Sequence, residues 1–417
     1  MNCVNNKVAA IRPHKLLNRM RVNMKTTLST LLVLVSLNSS ASVLKEAWNN
    51  SNNPTRMQVT RNGQNYQVGN YNYQNNFYDL PLSGELETKP WSGDYWPTHK
   101  GGITNRWYSD SYWESNDYSY DIISNDEAKS IIDTEHLSPA EKYDIFIGRY
   151  DFPLTKHERS RTKIMRTVVD STEYDPGFDI PTWEGLCHAW APATLAYVNP
   201  SPVTLENKDG IEVKFGSSDV KALLTFFLHY DKSAANFFLG GRCNTSFDDL
   251  LDQLRSGGIT QAEYDRQVNS SKCRDTNAGA FHMVLTNQIA LLDEGFIADV
   301  TRDLEVWNQP VHGYDSKVIK ETLGASRGAA RGTVKEIEIV THMYYTVEVG
   351  TSWYFLDDYD QSESVLTYHY TLELNKNNEI IGGEWISDER PDFLWKQTTP
   401  EFSGFFKQLE EIYNKSI

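Results

Sequence analysis

One stretch constrains this chain more than any other: Trp183-Glu184-Gly185-Leu186-Cys187-His188-Ala189-Trp190-Ala191-Pro192-Ala193. It joins a glycine that permits close backbone approach, a single cysteine, and a small and aromatic run able to open a helix. A cysteine at a helix start gains twice. The helix dipole lowers its thiol pKa, and the free backbone N–H groups there can hold a developing oxyanion. The plainer alternative is a buried structural cysteine. Pro192 would interrupt the ladder, so the pattern predicts a helix starting near Ala191, with Cys187 on the preceding turn.

The N-terminus bears on what that cysteine can be. Met24-Lys25 is followed by an apolar run from Leu28 to Leu37 and by small residues at Ser39-Ser40-Ala41. This is the pattern of a signal peptide over 1–41. Two starts are open: a long basic lead (Lys7, Arg12, Lys15, Arg19, Arg21), or translation from Met24. The apolar run is too short for a lasting membrane anchor. The chain is thus expected in a secreted or periplasmic compartment, without stable membrane association once the peptide is removed. Removal also takes Cys3, leaving Cys187, Cys243 and Cys273. An oxidising compartment pairs two of three. Cys243 and Cys273 both sit in polar, turn-rich sequence, so they are the expected disulfide and Cys187 the free thiol. No Cys-x-x-Cys occurs, which disfavours a zinc site. The formal charge of −16 excludes the basic face a nucleic-acid partner needs.

The Gly185–Ala191 run resembles the Gly-x-Cys-aromatic-x-aromatic-Ala stretch of papain-like proteases and animal transglutaminases. The longer Trp183–Ala193 run is similar to the active-site stretch of the oomycete transglutaminase elicitors and their bacterial relatives. Gly279-Ala280-Phe281-His282-Met283-Val284-Leu285 resembles that family's His stretch. Glu305-Val306-Trp307-Asn308-Gln309-Pro310-Val311 resembles the core of its plant-recognised surface peptide, although His312 and Tyr314 depart from the usual residues. The resemblance runs from about Pro90 to about Trp395.

Along the chain, 42–85 is Asn- and Tyr-rich without apolar periodicity and reads as a linker or arm. The catalytic domain is expected over 86–417, with Trp91 and Trp96 as core anchors. Helices are expected over 124–132, 138–147, 219–230 and 247–254, the second opened by the capping box Ser138-Pro139-Ala140-Glu141. A hairpin is expected across Lys208-Asp209-Gly210. Strands are expected at 281–286, 295–300, 334–341, 343–348, 352–356, 366–374 and 379–386. Helices first and an antiparallel sheet after make an α+β fold. The resemblance implies a papain-like or transglutaminase-like division, a helical part bearing the Cys packed on a sheet bearing His and Asp.

A nucleophilic Cys187 needs a base, and the base needs an orienter. On a strand, His282 would face away from Phe281 and Met283, which suits the base. Asp299 in Phe296-Ile297-Ala298-Asp299-Val300 is costly inside an apolar strand unless partnered, which suits the orienter, with Asp303 as competitor. Trp183 or Trp190 could assist the oxyanion, and His188 could touch substrate, although packing is the commoner role for each. The acidic run Asp357-Asp358-Tyr359-Asp360 with Glu363 reads first as a solvated turn and second as a calcium site. Pro310 lacks an N–H, so Glu305–Tyr314 is expected to leave the sheet as a loop or edge.

The resemblance implies a secreted protein-glutamine γ-glutamyltransferase whose partners are proteins bearing Gln side chains and Lys or other primary amines. A cysteine protease or amidase with the same triad is the first alternative. A non-catalytic surface recognition protein is the second.

Overall fold

Alternation in one short strand divides the molecule in two. In the computed structural model, Phe296 and Ala298 enter one hydrophobic core, while Ile297 enters another on the opposite face of the same sheet. The structure describes residues 51–59, 72–106, 117–268, 270, 273, 276–302, 304–350 and 361–417. The expected signal peptide, the strand at 352–356, Asp303 and the run Asp357–Asp360 lie outside them.

In chain order, β1 (Ser83–Glu85) is followed by helices α1 (Asn125–Lys129), α2 (Pro139–Phe146), α3 (Pro153–Thr162) and α4 (Cys187–Ala196). The hairpin β2 (Val203–Glu206) and β3 (Glu212–Phe215) leads to α5 (Ser217–Tyr230), β4 (Asn236–Gly240), α6 (Phe247–Arg255), α7 (Gln261–Val268) and α8 (Ala278–Leu285). Then come β5 (Phe296–Asp299), β6 (Asn308–Leu323), β7 (Lys335–Thr346), β8 (Glu363–Leu374), β9 (Ile380–Trp385), β10 (Phe393–Gln397) and α9 (Leu409–Ser416). The sheet runs β4-β10-β5-β6-β7-β8-β9, with β1 added on β6, and its pairs are antiparallel. The α+β arrangement expected from the order of elements is present.

One face of the sheet carries Ile297, Phe393 and Trp395, which pack under α2, α4, α5 and α9. The other carries Phe296, Ala298, Val311, Leu394 and the inward residues of β7 and β8, which pack under α8. The first face holds the cysteine helix. The second holds the His282 segment.

That segment is a helix, not the expected strand. Asn277 caps it by accepting from the Gly279 and Ala280 amides at 2.9 and 3.2 Å. Gly279 lies so close to β9 that a Cβ there would overlap the Gly382 backbone. All eight residues of α8 are buried, so no polar face marks the 3.6-residue period, and the apolar run carries no information that separates helix from strand.

The segment expected as a linker or arm is packed where it is described. Met57, Tyr73, Phe77 and Leu80 enter the second core. The Ser51 carbonyl accepts from Gly240, and Arg56 Nε donates to the Phe238 carbonyl at 2.8 Å. Both bonds cover the outer edge of β4, an edge that would otherwise invite strand pairing.

Pro310 is also not where the sequence suggested. It sits in a central strand, opposite Ile297 of β5. The Val300 amide bonds the Trp307 carbonyl at 3.1 Å, so Asp299–Asn308 and Ile297–Pro310 are the non-hydrogen-bonded pairs. The missing N–H of Pro310 therefore faces the β7 side, where pairing begins only at Val311. Residues 308–314 are buried in β6, so of the loop or edge expected over Glu305–Tyr314 only 305–307 leaves the sheet.

Candidate active site

Cys187 is the first residue of α4, and its thiol is free. The helix begins earlier than Pro192 suggested. Pro192 lies inside it, where its missing N–H removes one ladder bond, and the neighbouring Trp190, Ala191 and Ala193 are fully buried. The turn before it is held from outside. The Tyr95 carbonyl accepts from Leu186 at 2.5 Å, Thr98 donates to the Glu184 carbonyl at 2.8 Å, and the Tyr95 hydroxyl donates to the Thr182 carbonyl at 2.8 Å. Gly185 is needed there, because a Cβ would overlap the Tyr95 ring and carbonyl. Trp91 and Trp96 are buried as expected, and Trp91 Nε1 bonds the Tyr197 carbonyl at 2.9 Å.

The sulfur meets β6 and the turn before it. Cys187 Sγ lies 3.6 Å from the Val306 carbonyl, and Asn308 Nδ2 donates toward it at 3.8 Å. Asn308 Oδ1 in turn accepts from Trp395 Nε1 at 2.8 Å. Burial pushes the thiol up to about 11. Asn308 pulls it down through its main-chain and side-chain N–H groups, while the charges of Glu348 and Asp299 push it up. The dipole gain expected at a helix start is thus outweighed, and the resting thiol is protonated. Half-buried Glu348 is itself raised to about 7, chiefly by desolvation, and it accepts two contacts from Gln309 Nε2 at 3.0 and 2.8 Å.

The structure brings Asp299 to the face that carries Cys187. Asp299 Oδ1 accepts from the Trp307 amide at 2.9 Å, the Thr301 hydroxyl at 2.9 Å and the Thr301 amide at 3.3 Å. It therefore holds the corner that presents Val306 and Trp307. The Trp307 ring lies 5.9 Å from that of Tyr95, and its Nε1 bonds Glu305 at 3.1 Å.

His282 is not brought to Cys187. It lies on α8, across the sheet, with Nδ1 2.8 Å from the Tyr370 hydroxyl and its ring beside Phe77. Tyr370 continues through Thr341 to Ser316 at 2.7 and 2.8 Å, a buried polar chain in the second core. Burial lowers His282 to about 3, so it is neutral at physiological pH.

His188 is exposed, with Nε2 2.9 Å from His229 Nδ1. The pair lines an open cleft of about 460 Å³ together with Phe238, Arg242, Val306, Asn308 and Trp395. The cleft therefore reaches the two residues that touch the sulfur. Trp183 is half-buried at the turn, and Trp190 is wholly in the core. The expected Cys243–Cys273 disulfide is formed. Its Cys243 amide donates to Asp392 Oδ2 at 2.7 Å, and the Asp392 amide donates to the Asp299 carbonyl at 3.2 Å, so the bridge leans on the Asp299 strand. Among the described residues, no group of three or more His, Cys, Asp or Glu could hold a metal ion. No described helix is long and apolar enough to cross a membrane.

Asn308 and Trp395 are the site residues that reading the sequence missed. Asn308 lay in plain view within Trp307-Asn308-Gln309-Pro310, but the expectation of a loop there hid its inward aim. Trp395 carried no local signal, since its contact spans 87 residues.

No curated protein matches this chain. Among solved structures it is similar to the crystal structure of the GP42 transglutaminase from Phytophthora sojae, with 22% identity and a TM-score of 0.56 over 82% of this chain and 94% of that one. That likeness shows a shared fold. Residues 64–405 match the family described as transglutaminase elicitor, and the chain belongs to that family.

Proposed function

We propose that this protein is a secreted acyltransferase of the transglutaminase type, with Cys187 as nucleophile. The observation that supports it is the free Cys187 at the start of a buried helix, bordered by an open cleft and by amide donors aimed at its sulfur. In this reading the Cys187 sulfur attacks the carboxamide carbon of a substrate Gln. The C–N bond breaks, the thiol proton leaves with the nitrogen as ammonia, and a thioester forms. A Lys side chain or other primary amine then attacks the thioester. The C–S bond breaks, the thiol is regenerated, and an isopeptide bond remains. The main-chain N–H of Cys187 holds the oxyanion of each step in this reading, since the Ala189 and Trp190 amides already bond the Leu186 carbonyl. Asp299 serves by holding the Val306–Trp307 corner. His282 has no direct part in this arrangement, because the sheet lies between it and the sulfur. Secretion is supported by the leader pattern over 1–41 and by the Cys243–Cys273 bridge.

The test is incubation with a glutamine-bearing protein and a labelled primary amine, beside a Cys187→Ala control. Amine incorporation that the control abolishes is expected. Release of ammonia with no incorporation would assign hydrolysis instead. No reaction in either form would favour a recognition role.

A further inference from the structure

We propose that Asn308 is a catalytic residue whose amide donates first to the Cys187 sulfur and then to the oxyanion formed on it, with Trp395 as the positioning residue that sets the amide's orientation. The proposal rests on Cys187 being the nucleophile, as argued above.

An asparagine amide has two ends, and which one faces a neighbour must be settled by its partners. Here the indole of Trp395 settles it. An indole N–H can only donate, so the group 2.8 Å from it is Oδ1. The NH2 end is left facing Cys187 Sγ, 3.8 Å away. Asn308 is 3% exposed, and a buried amide held at one end keeps its other end aimed. Trp395 is itself fixed. It belongs to β10 opposite Ile297, it stacks on Phe238 at 5.6 Å with 15° between the planes, and it is 5% exposed.

Two donors of one residue act on the sulfur, since the main-chain N–H of Asn308 favours the thiolate as its side chain does. The main-chain N–H of Cys187 lies on the helix side and Asn308 on the sheet side. A carbonyl carbon bonded to the sulfur between them would place its oxygen within reach of both. Donors fixed before reaction stabilise developing charge without reorganising. The open cleft reaches Asn308 and Trp395 directly, so substrate can arrive on the donor side.

The experiment measures two quantities on the full chain: kcat and KM for labelled-amine incorporation, and the pH profile of Cys187 alkylation by iodoacetamide. Asn308→Ala should lower kcat about 100-fold with KM within about twofold, and raise the midpoint of the alkylation profile by about one pH unit. Asn308→Asp, which puts an acceptor where the donor stood, should lower kcat further and raise the midpoint more. Trp395→Phe keeps the ring on Phe238 and removes the indole N–H, so kcat should fall about tenfold through loss of orientation. Melting temperatures within a few degrees of wild type would exclude unfolding as the cause, and Trp395→Phe carries the test if Asn308→Ala does not fold. A kcat within threefold of wild type, or an alkylation profile superimposed on wild type in both Asn308 variants, would overturn the proposal. The alkylation profile needs no acyl substrate. A shifted profile in a protein that incorporates no amine would therefore fail the acyltransferase reading and leave the Asn308 contact standing.

Discussion

At the scale of single residues, the thiol's environment is the most informative feature. Cys187 rests near 11 because burial outweighs the Asn308 donors. Below that value the thiolate fraction rises about tenfold per pH unit, so alkylation of Cys187 should accelerate steadily from pH 7 to 10. Glu348 adds to the upward push through its charge. Glu348→Gln should therefore lower the thiol pKa and speed alkylation several-fold at pH 8. An unchanged rate would show that the carboxylate does not reach the sulfur. Because Glu348 titrates near 7, the variant's advantage over wild type should fade below pH 6, where the wild-type carboxyl is already neutral.

At the scale of elements, Asp299 is engaged by the turn from β5 to β6 and not by the His282 imidazole. Asp299 Oδ1 gathers three donors from Thr301 and Trp307 and so builds the corner that meets Cys187. Asp299→Asn keeps an acceptor oxygen at that point, so activity should fall less than about tenfold. Asp299→Ala leaves the Trp307 amide without its partner and should cost about 1–3 kcal/mol of stability, with activity lost alongside. Melting curves and amine incorporation on both variants check this. A loss of several orders of magnitude in Asp299→Asn at unchanged melting temperature would show that Asp299 orients a base instead.

At the scale of the whole molecule, the sheet separates two cores with different duties. On the proposed reading the α4 face is the reactive one, and the α8 face is a scaffold that includes His282. The pH dependence of stability should show this. His282 is held at about 3 in the folded chain, below the ordinary histidine value near 6.5. Its contribution is therefore full above about 6.5 and is lost as pH falls from there toward 3, because the unfolded chain takes up a proton that the native core refuses. His282→Asn should lower the melting temperature at pH 7, and the gap from wild type should shrink as pH falls to 4. Amine incorporation per folded molecule should be retained. A gap independent of pH, or activity lost without loss of stability, would contradict the scaffold role.

What the sequence determined by itself was local chemistry. Helix caps such as Ser138 with Glu141, the turn at Lys208-Asp209-Gly210, the Cys243–Cys273 pairing and the singular Cys187 all rest on near neighbours or on counting. The helices-then-sheet order was legible for the same reason. Facing was not. Whether His282 looks toward the cysteine depends on which side of the sheet α8 packs, and an all-buried helix shows no polar stripe to tell. Whether Pro310 can lie in a central strand depends on where β7 begins to pair, some 35 residues later. Whether Asn308 reaches the sulfur depends on Trp395, brought in from the far end of the chain by β10. Each of these is a contact between segments distant in sequence, so tertiary packing alone decided it.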